Sequence, residues 1–142
     1  METRLNRIKH GLLSAEALLA LVAAWALVFL APWRIAYRVL GQATSPRAGF
    51  AQAPAQTGRA RGVAHRVTRL ADRLPWTSTC LVRALAGVLL LRRRGMRDGA
   101  IRLGCRRNAD GSLAAHAWLI WRGVIVMGGP EQDFQTIADL AP

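Results

Sequence analysis

The stretch from Trp76 to Leu91, WTSTCLVRALAGVLLL, constrains this chain more than any other, because a polar loop there hands over to an apolar helix and a cysteine stands at the junction. Leu81, Leu85, Val88 and Leu89 fall at the spacing of a core-facing helix side, and Arg92 to Gly95 supply a cationic last turn followed by a glycine stop. Cys80 therefore sits at the extreme start of a helix. A thiol in that position faces unpaired backbone N–H groups and the positive end of the helix dipole, both of which favour its nucleophilic, ionised form. The body of the helix can be buried while its first residue faces a cleft.

A chain of 142 residues has room for one compact domain, or for a small domain with a helical appendage. Cys80 and Cys105 have 24 residues between them and no metal-ligand spacing, so neither a disulfide framework nor a zinc site is indicated, and a reducing cytoplasmic setting is expected. The net charge is +12, and 19 of the 20 basic residues are arginine. Arginine grips carboxylate and phosphate through a planar fork, so acidic partners are expected. Nucleic acid is not, because the arginines are scattered without interleaved aromatics; the one run, Arg92 to Arg94, falls where a helix ends and cations favour the dipole.

Residues 1–10 are polar and basic, and the 17 residues from Ala17 to Trp33 carry no charge. At about 1.5 Å per residue they make a helix roughly 26 Å long, just short of the hydrocarbon thickness. Three readings stay open: a helix covered by protein, a helix on or across a membrane, and a cleaved signal, the last without a small-residue cleavage site to support it. Residues 42–58 turn to Gly, Ala, Pro, Gln, Ser and Thr and read as a linker. Helical spacing returns from Arg59 to Leu74, with Val63, Val67, Leu70 and Leu74 on one side and arginines around the other. The expected organisation is a helical segment 1–41, a linker 42–58 and a domain 59–142.

Past Gly99 the period changes to two. Ile101 to Arg106, Leu113 to Trp121 and Val124 to Met127 read as a three-stranded antiparallel meander, and residues 131–142 as a short tail with one helical turn near Ile137 to Leu140. In the second strand His116, Trp118 and Ile120 share one face. If that face packs on the Cys80 helix, imidazole meets thiol, the arrangement a cysteine nucleophile needs, with the Cys80 backbone N–H aimed at a developing oxyanion and Trp76 and Trp118 walling the cleft. Spacing alone leaves the plainer alternative standing, in which Cys80 is a small buried residue and His116 an ordinary hydrogen-bonded one. Cys105, His10 and His65 read as packing or solvent-facing residues.

Leu74-Pro75-Trp76, Cys80-Leu81, Ala84-Leu85, Leu89-Leu90, Arg92-Arg93, Gly95, Leu103-Gly104 and Ala115-His116-Ala117-Trp118 together resemble the lasso-peptide leader peptidases, transglutaminase-like cysteine proteases, over about residues 60–130. The resemblance implies an α+β fold with a papain/transglutaminase-like core, a cysteine-bearing helix packed on a small antiparallel sheet behind an N-terminal helical extension. It implies removal of the leader from a ribosomally made precursor peptide, with Cys80 as nucleophile and His116 as general base and acid, and neither metal nor cofactor. It also implies partners: a winged-helix-like leader-recognition protein, which this chain does not contain, and an ATP-dependent, asparagine-synthetase-like cyclase. The family's orienting aspartate, 12 positions past the histidine, does not carry over, because Gly128 stands there. With a two-residue turn at Arg122-Gly123, Gly128 falls opposite Ala117. Asp133, then Glu131, are the candidate third members, alongside a backbone carbonyl, water or a partner's residue.

Overall fold

The structure, a computed structural model, describes residues 2–41, 43–44 and 53–141. Four helices, α1 (Glu2–Phe29), α2 (Trp33–Leu40), α3 (Pro54–Ala71) and α4 (Cys80–Arg93), accompany five strands, β1 (Ala43–Thr44), β2 (Gly99–Arg107), β3 (Leu113–Trp121), β4 (Val124–Met127) and β5 (Gln135–Leu140). The strands form one sheet in the order β1-β5-β2-β3-β4, every neighbouring pair antiparallel. The expected α+β architecture is present: the cysteine-bearing helix packs on a small antiparallel sheet, with an apolar helix ahead of it.

Local chemistry sets the element ends. Pro54 opens α3, where its missing N–H costs nothing. Gly95, at φ 74°, closes the turn after α4. The β2–β3 hairpin is held by Asp110, whose Oδ1 accepts from the Ser112 amide (2.9 Å) and hydroxyl (2.6 Å). Those bonds, the hydroxyl's above all, hold the Asp110 carboxyl below its ordinary pKa.

Packing divides the sheet into two unlike faces. Ala117, Leu119 and Trp121 of β3, with Ile101 of β2, join one core with Val82, Leu85, Val88 and Leu91 of α4, Val63 and Val67 of α3, and Ala17, Leu21 and Ala24 of α1. The approach of α4 to the sheet is close enough that a Cβ on Gly87 would stand 2.5 Å from Leu119 Cδ2. The other face carries Trp118 and, in register across the sheet, Arg102 and Asp139.

Four sequence expectations change. The imidazole face of β3 is not the face packed on α4; that place goes to Ala117, Leu119 and Trp121. The tail expected to form a helical turn is strand β5, because Ala138 and Leu140 pair with β2 and Asp139 meets Arg102 across the ladder, tertiary partners that outweigh local preference. Helix α3 starts at Pro54, five residues before Arg59. Within the rest of the expected linker Ala43–Thr44 form β1 against β5, and residue 42 and residues 45–52 lie outside the described residues.

Helix α1 buries Ala17, Ala20, Leu21 and Ala24, while Ile8, Leu12, Leu19, Val22 and Phe29 are exposed along the opposite side. Residues Asn6–Phe29 are long and apolar enough to cross a membrane, and the same helix contributes one side to the core.

Candidate active site

The start of α4 is built by its cap. Thr79, in extended conformation, accepts from Val82 N through its side chain (3.3 Å) and from Arg83 N through its carbonyl (3.0 Å). The two preceding amides, of Cys80 and Leu81, find no acceptor within the helix. They are the free donors of the helix start, and Cys80, half-buried, carries the thiol beside them. Arg83, one turn further, ties the incoming loop down: Nε donates to Ser78 O (3.2 Å) and Ser78 Oγ (3.1 Å), and Nη1 to Asp72 Oδ1 at the end of α3 (2.7 Å).

His116 approaches from the sheet. Its Nε2 lies 2.9 Å from Gly128 O. A carbonyl oxygen only accepts, so Nε2 carries the proton and, in the neutral ring, Nδ1 is the basic nitrogen. The ring packs edge-on against Trp118, centroids 4.7 Å apart, and lies 5.9 Å from Phe134. Strand β4 ends at Met127 and pairs only with Leu119 to Trp121, which leaves the first half of β3, with His116, without a β4 partner.

Cys80 and His116 line one cavity of about 390 Å³, together with Thr68, Ser78, Arg83 and Met127. No hydrogen bond joins thiol to ring among the described residues. Apo arrangements of this kind tighten on substrate binding, so proximity across one cavity is the relevant geometry. The arrangement supplies a thiol, a tautomer-fixed imidazole, backbone donors and a cation at Arg83. Sequence reading missed Thr68, Ser78, Arg83 and Met127. Arg83 alone left a signal, one helical turn past Cys80 on the side of the loop it holds.

The two tryptophans expected to wall the cleft do not line this cavity. Trp118 is 1% exposed, covered by Phe134 at 5.2 Å, and serves as the floor beneath His116. Trp76 instead lines an apolar hollow with Val22 and Trp25 of α1.

A bulge decides what orients the histidine. The register shifts between Leu119 and Ile120, so Met127 pairs with Leu119 and Gly128 comes opposite Trp118 rather than Ala117. A Cβ at Gly128 would stand 2.6 Å from Trp118 Cδ1 and 3.1 Å from its Cα, and φ there is +115°. Only glycine fits, and its carbonyl accepts from His116 Nε2. Asp133, at φ 71°, is exposed and makes no side-chain hydrogen bond or ion pair among the described residues. Glu131 turns to Arg102 Nη1 (3.2 Å).

That contact belongs to a network under the β4–β5 loop. Arg102 Nε and Nη2 donate to Asp139 Oδ1 and Oδ2 at 2.9 and 3.0 Å, with the two side chains 13% and 5% exposed. Hydrogen bonding to Asp139 raises the Arg102 pKa above its ordinary value against the opposing effect of burial, and Glu131 adds to the rise. Arg102→Met would take from the buried Asp139 its bidentate cationic partner and release the loop that carries Gly128. A loss of about 3 kcal/mol is expected, read as a lowered denaturation midpoint in urea.

With this geometry in hand, comparison with known proteins assigns the class. The family model of the transglutaminase-like superfamily matches residues 23–139, from the second half of α1 into β5, and the chain belongs to that superfamily. Its members are in general cysteine-dependent enzymes. No curated protein and no solved structure matches the chain.

Proposed function

We propose that this protein is a cysteine endopeptidase that removes the leader from a ribosomally made lasso-peptide precursor. The observation that carries the enzymatic part is the shared cavity: a helix-start thiol and an imidazole whose Nε2–H is engaged by Gly128 O both face it. The substrate class comes from the resemblance of residues 60–130 to the leader peptidases. In this reading Cys80 Sγ, having given its proton to His116 Nδ1, attacks the scissile carbonyl carbon. The oxyanion is met by the Cys80 and Leu81 amides. Collapse breaks the C–N bond, the amine leaves with the proton from Nδ1, and the leader stays as a thioester on Cys80. Water, deprotonated by the same nitrogen, then attacks the thioester and releases the leader carboxylate and the free thiol. Gly128 O holds the ring through these steps without taking a proton.

A winged-helix-like recognition protein would deliver the precursor in the cytoplasm, and an ATP-dependent cyclase would take the core peptide onward. The test is incubation of the full-length protein with precursor and recognition protein, followed by mass spectrometry. A leader fragment with a free carboxylate is expected. A leader joined to an added amine would reassign the same residues to acyl transfer, and an intact precursor would sink the proposal.

A further inference from the structure

Helix α3 carries a row of positive charge on the side turned from the core. Arg59, Arg66 and Arg69 recur at helical spacing on α3, Arg73 continues the row in the turn just past its end, and Gly62 leaves a gap among them in which a Cβ would meet nothing within 4 Å. Arg66 and Arg69 are like-charged neighbours three residues apart on the helix, an arrangement that costs helix stability. Against this row lies the first half of α1. Between the two helices runs a trough of about 260 Å³ lined by His10, Ser14, His65, Arg66, Arg69 and Arg73.

Among the described residues no carboxylate lines the trough. Glu16, one turn along α1, is bound by Arg93 and Arg94, and Asp72 by Arg83. Two histidines and three arginines thus converge with no counter-charge of the protein's own among the described residues. We infer that this trough between α1 and α3 binds an acidic segment of the peptide substrate, its carboxylates gripped by Arg66, Arg69 and Arg73.

The shape selects a peptide among anions. From Arg59 to the end of α3 at Ala71 the row runs about 18 Å at about 1.5 Å per residue, the reach of about five residues of extended chain, with Arg73 just beyond. A free phosphate needs one point of convergence, not a row. Among the described residues no Phe, Tyr or Trp lines the trough to stack a base, and its only aromatic rings are the small imidazoles of His10 and His65. The planar arginine fork matches a carboxylate bidentately, and a concave site between two helices seats a strand better than a flat lipid surface does. Which peptide binds rests on the peptidase reading; that an acidic peptide binds does not.

The probe is a fluorescein-labelled octaglutamate, followed by fluorescence anisotropy with full-length Cys80→Ala protein, which binds without turnover. Arg66→Gln/Arg69→Gln is compared with Arg92→Gln/Arg97→Gln, which removes equal charge from exposed positions off the trough. The trough pair is expected to weaken binding about tenfold and the control pair less than about twofold, with affinity falling as salt rises. Arg73→Gln alone gives a smaller loss in the same direction. Equal losses in the two pairs, no loss in the trough pair, or tighter trough-dependent binding of oligothymidylate, inorganic phosphate or phosphatidylglycerol vesicles would each overturn the inference. Cleavage is read separately in the protein with Cys80 intact. Trough-dependent binding without leader release would sink the peptidase reading alone, and leader release with octaglutamate binding indifferent to Arg66 and Arg69 would sink the trough alone.

Discussion

Cys80→Ala is expected to lower leader release by about 10⁴-fold or more while leaving the fold intact, because it removes the atom that forms the thioester and nothing in the cavity replaces it. The structure separates the two effects well. Cys80 is the first residue of α4 and only half-buried, and the helix start is secured by Thr79 rather than by the thiol. Alanine is the best helix former, so the thermal midpoint should move by no more than about 2 °C. His116→Ala is expected to fall nearly as far in rate, since the steps that need a proton moved all pass through one nitrogen. Cys105→Ala, by contrast, should leave the rate unchanged, as Cys105 does not line the cavity.

Gly128→Asp is the second large effect, and its direction runs against intuition from related enzymes. The substitution restores a carboxylate at the position where the leader peptidases commonly place one, yet it is expected to destabilise the protein by about 3 kcal/mol and to abolish activity. Two costs combine: a β-carbon driven to 2.6 Å from the Trp118 ring, and a side chain at φ +115°. Trp118 cannot retreat, because it is 1% exposed and packed beneath Phe134. Moving the backbone to relieve the clash withdraws Gly128 O from His116 and frees the ring to rotate. Urea denaturation and the rate of leader release check both halves. Asp133→Asn is the companion measurement: full activity leaves orientation to the carbonyl, and a large loss would give that role to the exposed carboxylate instead.

What the sequence made legible and what it hid follow from the range of the interactions involved. The Cys80 helix, its glycine stop and strands β3 and β4 are written in local patterns: apolar spacing, a cationic last turn and period-two alternation with turn residues between. Strand β5 is not, because Gln135 to Leu140 becomes a strand through Arg102 and the β2 edge, partners some 35 residues away in the chain. The face assignment of β3 failed for a related reason. His116-x-Trp118-x-Ile120 and Ala117-x-Leu119-x-Trp121 are both apolar enough to be buried: Trp118 and Ile120 of the first are, Trp118 against Phe134, and the second is buried against α4. Alternation gives two faces without saying which one the helix takes. The orienting group was hidden most deeply, since one bulge residue moves Gly128 from Ala117 to Trp118 and the group that meets the imidazole is main chain, which no side-chain pattern reports.

In the proposed reaction, leader removal passes through a thioester on Cys80. Rapid acid quenching of the full-length protein during turnover, followed by intact-mass and peptide mapping, tests it most directly. The predicted result is an adduct of the leader's mass on the peptide containing Cys80, discharged by hydroxylamine and absent from Cys80→Ala. Leader release at full rate with no such adduct and no loss in Cys80→Ala, or an adduct mapped to Cys105, would contradict it.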